Sequence, residues 1–387
     1  MKQESINRLS TLDSPARRNF IVRSALLVAG TAISLNSDQL GESPAYTAWK
    51  QLQKGSLTDL EYIVQCGTLA ANAHNTQCWL FHISGGQIVL FADLKRNLGR
   101  ADPKRRLMLM SLGCAVENMV VAAHQLGYQV RINDAEVAAF LADHGRCAVL
   151  ELSRRGDSGA HPWFSALFSR RTARLPFAAL PSHYRHLASK IGNLADLPGL
   201  ELAWYDQAGD CRTIVNATER AVKQFVNDNA AYSDAMRWFR RSRLEWEHLR
   251  DGISIFSGDA PFWIKEWVNL FVENEDLLLP VFREGEVDVT QRLAAATPLW
   301  ALVTAERNEP GAWFRAGRLV ERLYLAAAAA GYAVQPVVYP TESATSSAEL
   351  TTGLALEGHQ IPLLLLRVGR AAVTEPSPRR DLMSVLI

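Results

Sequence analysis

The chain has 387 residues, which is enough for one large domain or two medium ones with sizeable cores. Its hydrophobic content of 48% and charged content of 21% are ordinary for a globular protein, so a chain that is disordered throughout is excluded. The formal net charge of +1 provides no overall field that would attract nucleic acid or an anionic membrane, so any anion site must be local.

Residues 1–42 have the pattern of a targeting segment. Arg17 and Arg18 precede an apolar run, 21–35, that is shorter than the roughly 20 residues of a spanning helix. This pattern resembles a twin-arginine export signal, which implies the twin-arginine export machinery as a partner and a periplasmic or exported location. The segment would either be cleaved after export or be retained as a membrane anchor. A basic start to an ordinary buried helix is the alternative.

A polar elbow at residues 71–79 follows the first apolar helical pattern of the remaining chain. Residues 60–71 have near-helical apolar spacing, while 79–83 and 87–91 predict a hairpin around Gly85 and Gly86. Small residues and amide side chains in the elbow would allow backbone N–H groups to approach a flat polar heterocycle. The candidate binding residues are Asn72, His74, Asn75 and Gln77. His74 is either a proton donor or a packing residue, and Cys78 is either redox-active or a small apolar filler.

An internal repeat divides the chain into two related halves. Residues 113–130 and 317–334 share eight of eighteen residues along one amphipathic helix pattern that ends in Gly-Tyr-x-Val. Later strands are expected at 147–152 and 361–368, and another at 200–205. Convergence of two alanine-rich helices is the alternative explanation. A polar, Gly-containing linker sets the expected boundary, giving a first half at 43–158 and a second at 159–387.

Residues 213–285 of the second half form a helical stretch rich in tryptophan and arginine. It is interpreted either as a lid over a planar ligand, on which Arg and Trp would stack, or as amphipathic helices packed on the core. The five cysteines lack Cys-x-x-Cys spacing, which predicts buried free thiols and neither a zinc site nor a disulfide framework.

A basic cluster, residues 170–174, precedes an apolar pattern that predicts a helix at about 181–193. Its cations, its hydroxyl and the N–H groups of a helix start are the groups that cradle a phosphate dianion. A solvated surface run is the alternative. The candidate phosphate ligands are Arg170, Arg171, Thr172 and Arg174.

The elbow and the basic cluster together resemble the nitroreductase family of FMN-dependent oxidoreductases. The continuation from Asp93 through Arg106 to Ala115 looks like the exported, Acg-like branch of that family. The resemblance implies an α+β, nitroreductase-like fold whose two halves are fused as an intramolecular pseudo-dimer with FMN between them. It implies that Arg170 and Thr172 meet phosphate and that Arg174 reaches towards the ribityl chain or ring. It also implies a C-terminal phosphate ligand, for which Arg379 and Arg380 are the candidates.

The resemblance further implies an FMN-dependent oxidoreductase that passes electrons from NAD(P)H or another reductant to a small acceptor such as a nitro compound or quinone. One FMN per chain is expected, because the first half lacks the basic cluster. A flavin-binding protein without turnover and a flavin-modifying enzyme are the alternatives. Glu342 is a candidate for a loop along the ring's other face. No residue is assigned a catalytic role, and no metal is expected.

Overall fold

The computed structural model describes residues 43–50, 54–142, 144–155, 159–178, 187, 189, 197–258, 260, 262–372 and 374–387. Residues 43–387 form one compact unit. The targeting segment at 1–42 and nearly all of the helix expected at 181–193 lie outside the described residues, so those predictions stand as predictions.

The described residues of the first half include three α-helices and a four-stranded sheet. These elements, in chain order, are α1 (Thr47–Lys50), α2 (Asp59–Thr68), β1 (Trp79–Ser84), β2 (Gln87–Ala92), α3 (Arg106–Gln125), β3 (Tyr128–Asn133) and β4 (Arg146–Arg154), and the short helix α4 (Ala166–Ser169) follows past the expected boundary. A capping box of Thr58 and Glu61 begins α2. The expected hairpin is confirmed: Ser84 pairs with Gln87, and Gly85 and Gly86 take the positive φ angles of a two-residue turn.

The second half repeats the same strand plan around a helical insertion. Its elements, in chain order, are β5 (Leu200–Tyr205), α5 (Ala208–Asn227), α6 (Asn229–Met236), α7 (Arg243–Leu249), α8 (Phe262–Phe271), α9 (Pro280–Ala295), β6 (Leu299–Ala305), α10 (Pro310–Ala329), β7 (Ala333–Val337), α11 (Tyr339–Glu342), α12 (Ala344–Gly353) and β8 (Ile361–Gly369). The strands expected at 147–152, 200–205 and 361–368 are therefore present as β4, β5 and β8.

The two sheets have matching topology. The first has the order β1-β2-β4-β3 and the second β5-β6-β8-β7, and every pairing is antiparallel. In each sheet the helix of the sequence repeat, α3 or α10, connects the second strand to the third. The expected α+β fold with two related halves is confirmed.

The repeated helices α3 and α10 pack against each other at the centre of the molecule. An ideal Cβ on Gly113 would lie 2.0 Å from the Phe314 carbonyl oxygen, and one on Gly317 would lie 1.9 Å from that of Met110. Only glycine permits backbones to approach so closely. Helix α3 is apolar and long enough to cross a membrane, but 94% of its most apolar window is buried in the protein. One hydrophobic core therefore runs through both halves.

The tryptophan-rich insertion, α5 to α9, is helical as expected, and its stacking partners are internal. Arg96 and Arg240 lie over the Trp238 ring, at 5.1 and 5.6 Å from its centroid. Trp246 is fully buried and donates its indole N–H to the Gly252 carbonyl. Much of this aromatic and basic composition is therefore used to pack the insertion on the first half.

Candidate functional site

A cleft between the halves collects most of the predicted binding residues. It is lined by Trp49, Ala71, Asn72, Asn75, Arg170, Arg171, Thr172, Arg174, Ser257, Glu375, Ser377 and Arg379. Asn72 and Asn75 come from the elbow, the basic cluster from the start of the second half, and Arg379 from the C-terminal segment. The elbow and the basic cluster, which are about a hundred residues apart in sequence, thus line one cleft together.

The basic cluster lies on extended chain after the short helix α4, and not at the start of a helix. Arg170 is the C-cap of α4, with φ −57° and ψ 133°. Thr172 and Arg174 form bridges to Val334 and Gly258, which keep the chain extended. Residues 170–174 therefore contribute no helix-start N–H groups themselves, and the start of the helix expected at about 181–193 lies outside the described residues. Guanidinium groups supply the positive charge here.

Arg170 is fixed by the core helix of the second half. It is 3% exposed, its Nε lies 3.2 Å from the Glu321 carboxylate, and its Nη2 donates to the Leu69 carbonyl. Glu321 also accepts from the Ala71 N–H at the edge of the elbow. Burial raises the pKa of Glu321, and the Arg170 cation opposes that effect. This carboxylate therefore holds the basic cluster and the elbow in register.

Arg379 binds the elbow from the other side. Its guanidinium donates to the carbonyls of Thr68 and Leu69 at 2.7 and 3.2 Å and to the Asn75 side-chain oxygen at 2.8 Å. Arg380 instead donates to the Gln77 and Ser384 carbonyls, away from the cleft lining. Of the two C-terminal candidates, the structure brings Arg379 into the cleft.

Positive charge is crowded into this cleft. Burial, followed by the neighbouring Arg170 and Arg171, lowers the pKa of Arg379 well below its ordinary value. Burial and Arg170 lower the pKa of Arg171 to about 10. The buried Nη1 of Arg170 and Nε of Arg171 have no hydrogen-bond partner among the described residues. Orphaned donors and excess cations are the features of a site that accepts a phosphate dianion.

Trp49 covers the arginines. The guanidinium carbons of Arg171, Arg379 and Arg170 lie 4.3, 4.7 and 5.6 Å from its ring centroid. Its indole N–H donates to the Ser377 carbonyl, which fixes the ring. The indole face partly compensates the crowded cations through cation–π attraction. No pattern in the sequence indicated Trp49, whereas Glu321 is detectable as an acidic residue retained in both copies of an apolar repeat.

The elbow contains a short helical segment, Ala73–Asn75, that is kinked at His74, and its side-chain amides already make some bonds within the protein. Asn75 donates to the Pro378 carbonyl, and Asn72 donates to the Ala70 carbonyl and accepts from the Gln77 N–H. Gln77 is fully buried and bonds to the Arg250 carbonyl, so it supports the elbow without lining the cleft. Each asparagine amide retains one N–H and one lone pair for a ligand.

His74 lies beside Arg174 and is neutral near pH 7. Burial and the Arg174 cation lower the pKa of its imidazole to about 4. A neutral imidazole can donate a hydrogen bond but is a weak acid. Burial raises the pKa of the Cys78 thiol to about 12, which matches an apolar filler and not a redox-active thiolate.

The other candidates lie outside the cleft. Glu342 accepts two bonds from Arg106, at 3.0 and 2.7 Å. All five cysteines are free, four of them buried, as predicted. Among the described residues, no group of His, Cys, Asp and Glu could hold a metal ion.

Similarity to known proteins points to one class of enzyme. No protein-family model matches the chain. The chain is 26% identical over 339 residues to "Putative NAD(P)H nitroreductase Rv3131" and "Putative NAD(P)H nitroreductase MT3217", from two strains of Mycobacterium tuberculosis. Each match covers 85% of this chain and 92% of the relative. The predicted similarity to nitroreductases is therefore confirmed over most of the chain, while the narrower Acg-like branch stays a prediction.

Solved structures with related folds cover just over half of the chain. The FMN- and NADPH-dependent nitroreductase NfnB from Sphigopyxis sp. strain HMH has a TM-score of 0.39 and 19% identity, covering 58% of this chain and 97% of NfnB. A nitroreductase with bound FMN from Desulfitobacterium hafniense DCB-2 has a TM-score of 0.36 and 13% identity, covering 57% and 94%.

Proposed function

We propose that this chain is an FMN-dependent oxidoreductase that passes electrons from NAD(P)H or another reductant to a small acceptor such as a nitro compound or quinone. The observation that carries the proposal is the cleft that four arginines and the two elbow asparagines line together. The similarity to nitroreductases supports the same activity.

The chain's residues divide into a phosphate end and a ring end. Arg170, Arg171, Thr172 and Arg379 would hold the FMN phosphate, because their cations are crowded in one cleft and the buried Nη1 of Arg170 and Nε of Arg171 have no hydrogen-bond partner among the described residues. Asn72 and Asn75 would bond the polar edge of the ring. Bound FMN supplies hydride acceptance and donation, and the protein supplies orientation and electrostatics.

Positive charge near the ring would favour the reduced, anionic cofactor. Arg174 is partly buried beside His74 and donates to the Ser257 hydroxyl at 3.2 Å. A fixed cation in a site of low dielectric stabilises developing negative charge more than it would in water. Arg174 would therefore make reduction easier, and neutral His74 would leave that charge uncancelled.

An anaerobic absorbance titration tests the proposal. Purified protein titrated with FMN should acquire a bound-flavin spectrum, bleach on addition of NADPH and recolour with a nitroaromatic or quinone. A yellow protein that never bleaches with any reductant would contradict turnover and favour a flavin-binding protein. Loss of colour with ring cleavage would favour a flavin-modifying enzyme.

We also propose export through the twin-arginine pathway. Support comes from Arg17, Arg18 and the apolar run that follows. The twin-arginine pathway carries folded proteins, which suits a protein that must take up FMN before export. The double variant Arg17→Lys and Arg18→Lys should remain cytoplasmic on cell fractionation. Wild-type protein found in the cytoplasm would contradict the proposal.

A further inference from the structure

The elbow holds a backbone conformation that it would not adopt alone. His74, Asn75 and Gln77 have φ angles of 50°, 51° and 49°, in the left-handed region that non-glycine residues seldom occupy. Such a conformation persists only where the surrounding structure determines it. Because Asn75 lines the cleft, whatever holds these residues also sets the geometry of the proposed ring end.

The 250–252 loop of the helical insertion bonds to the elbow. The Gly252 N–H donates to the Asn75 carbonyl at 3.1 Å, and the Gln77 side-chain amide donates to the Arg250 carbonyl at 2.6 Å. Between them, Arg96 Nε donates to the Thr76 carbonyl. Three consecutive elbow residues are therefore held from one side.

Asp251 is the charge on which these contacts converge. It is 6% exposed, and its carboxylate pairs with Arg96 on one side and with Arg240, at 2.7 Å, on the other. Arg96 and Arg240 both lie against the Trp238 ring. Without the carboxylate, the partly buried cations of Arg96 and Arg240 would repel each other. Arg96 would also lose the partner that orients its Nε towards the elbow.

Gly252, next to Asp251, restricts the conformation of the 250–252 loop. Its φ is 77°, and an ideal Cβ there would lie 2.5 Å from the Trp238 carbonyl oxygen. The loop therefore has little freedom to shift while Asp251 is paired. Its backbone N–H transmits this constraint directly to Asn75.

We propose that Asp251 is a positioning residue for the ring end of the cleft. It acts through Arg96 and the Gly252 N–H on the backbone of residues 75–77, and it does not itself line the cleft. The inference rests on the proposed function, since the ring end is defined by bound FMN. The arginines of the phosphate end are also held by Glu321 and Trp49, neither of which contacts Asp251, so loss of Asp251 should affect the ring end more than the phosphate end.

Hydrogen exchange of the ligand-free protein tests the clamp directly. Asp251→Asn should speed amide exchange at residues 75–77 at least tenfold, measured by mass spectrometry of peptides covering the elbow. Glu349→Gln is the matched control, because it removes a carboxylate that pairs with Arg220 at a distant surface site. Arg96→Lys, which keeps a cation for Asp251 but lacks Nε, is the second variant and should have the same effect. Unchanged exchange in both variants overturns the proposal whether or not flavin binds.

Binding measurements then separate the two ends. In Asp251→Asn, FMN should bind at least tenfold more weakly, while inorganic phosphate competes for the cleft with an affinity within twofold of wild type. Equal FMN affinity, or an equal loss for FMN and phosphate, overturns the proposal. Failure of wild-type protein to bind FMN would refute the proposed function instead, and the exchange comparison would still decide the role of Asp251.

Discussion

At the scale of single residues, the position of a cation decides its role. Arg379 and Arg380 are neighbours, yet Arg379 is 4% exposed among carbonyls in the cleft, whereas Arg380 bonds to Gln77 and Ser384. The planar fork of Arg379 has three nitrogens, each with its own acceptor. A lysine ammonium offers one centre and cannot reach all of them.

Arg379→Lys should therefore weaken FMN binding even though charge is conserved. Without the fork, Asn75 and the elbow carbonyls lose their common donor and the cleft loses its geometry; a loss of binding equal to one charge-assisted bond, roughly 1.5 to 3 kcal/mol, is about a 10- to 100-fold rise in Kd. Fluorescence titration with FMN measures it. Arg220→Lys, in an exposed ion pair, is the control and should leave Kd unchanged. Wild-type affinity in Arg379→Lys would contradict the role given to the guanidinium fork.

His74 should make stability depend on pH. Its pKa is about 4 in the folded protein and near 6.5 when unfolded, so the unfolded chain binds more protons between these values. Stability is therefore present above pH 6.5 and is lost as the pH falls towards 4, by about 2 kcal/mol after partial relaxation. His74→Asn tolerates positive φ and cannot titrate. Urea unfolding at pH 7.5 and 4.5 should show a larger loss for wild type than for this variant, and equal losses would contradict the assignment.

Residue types in the sequence predicted the residues that line the cleft better than the residues that hold those lining residues in place. Amides at 72 and 75 suit the polar edge of a flavin ring and cations at 170–174 suit its phosphate, and the resemblance to nitroreductases favoured these roles over a solvated surface. Trp49 was not, because one tryptophan in a short amphipathic segment carries no sign that three distant arginines will surround it. Such supports depend on contacts between residues more than a hundred positions apart.

At the scale of elements, local sequence patterns predicted helices and turns, whereas the conformation of other segments depends on pairing with distant residues. The β1–β2 hairpin follows from Gly85-Gly86 between alternating strands, and α2 begins at its capping box. The basic cluster was expected before a helix, and its bridges to Val334 and Gly258 hold it extended. Those partners lie far along the chain, so no local pattern indicated them.

The α3–α10 crossing should not tolerate a methyl group. In Gly317→Ala the new Cβ would meet the Met110 carbonyl, and backbone cannot move aside as a flexible side chain can. A loss of about 3 kcal/mol in the free energy of unfolding is expected, measured in urea. Gly285→Ala, within α9 and with nothing near its Cβ, should instead stabilise by about 1 kcal/mol. A stable Gly317→Ala protein would contradict the packing described.

At the scale of the whole molecule, equivalent positions in the two halves have acquired different partners. Glu321 in α10 pairs with Arg170 and the elbow, while its counterpart Glu117 in α3 pairs with Arg318 and Arg322 of α10. The carboxylate of the first half is therefore occupied by the core itself. The sequence repeat predicted the related halves, and the absence of a second basic cluster predicted this asymmetry.

The asymmetry predicts that each chain binds one FMN and that this binding depends on the one basic cluster. Arg171→Gln removes a cation that has no carboxylate partner among the described residues, so the fold should persist while bound FMN falls from one per chain to nearly none. Absorbance of the desalted complex gives the stoichiometry. Arg154→Gln removes an exposed arginine from the first half and should leave one FMN per chain. Two FMN per wild-type chain, falling to one per chain in Arg171→Gln, would contradict the prediction, because a second site without Arg171 would then exist.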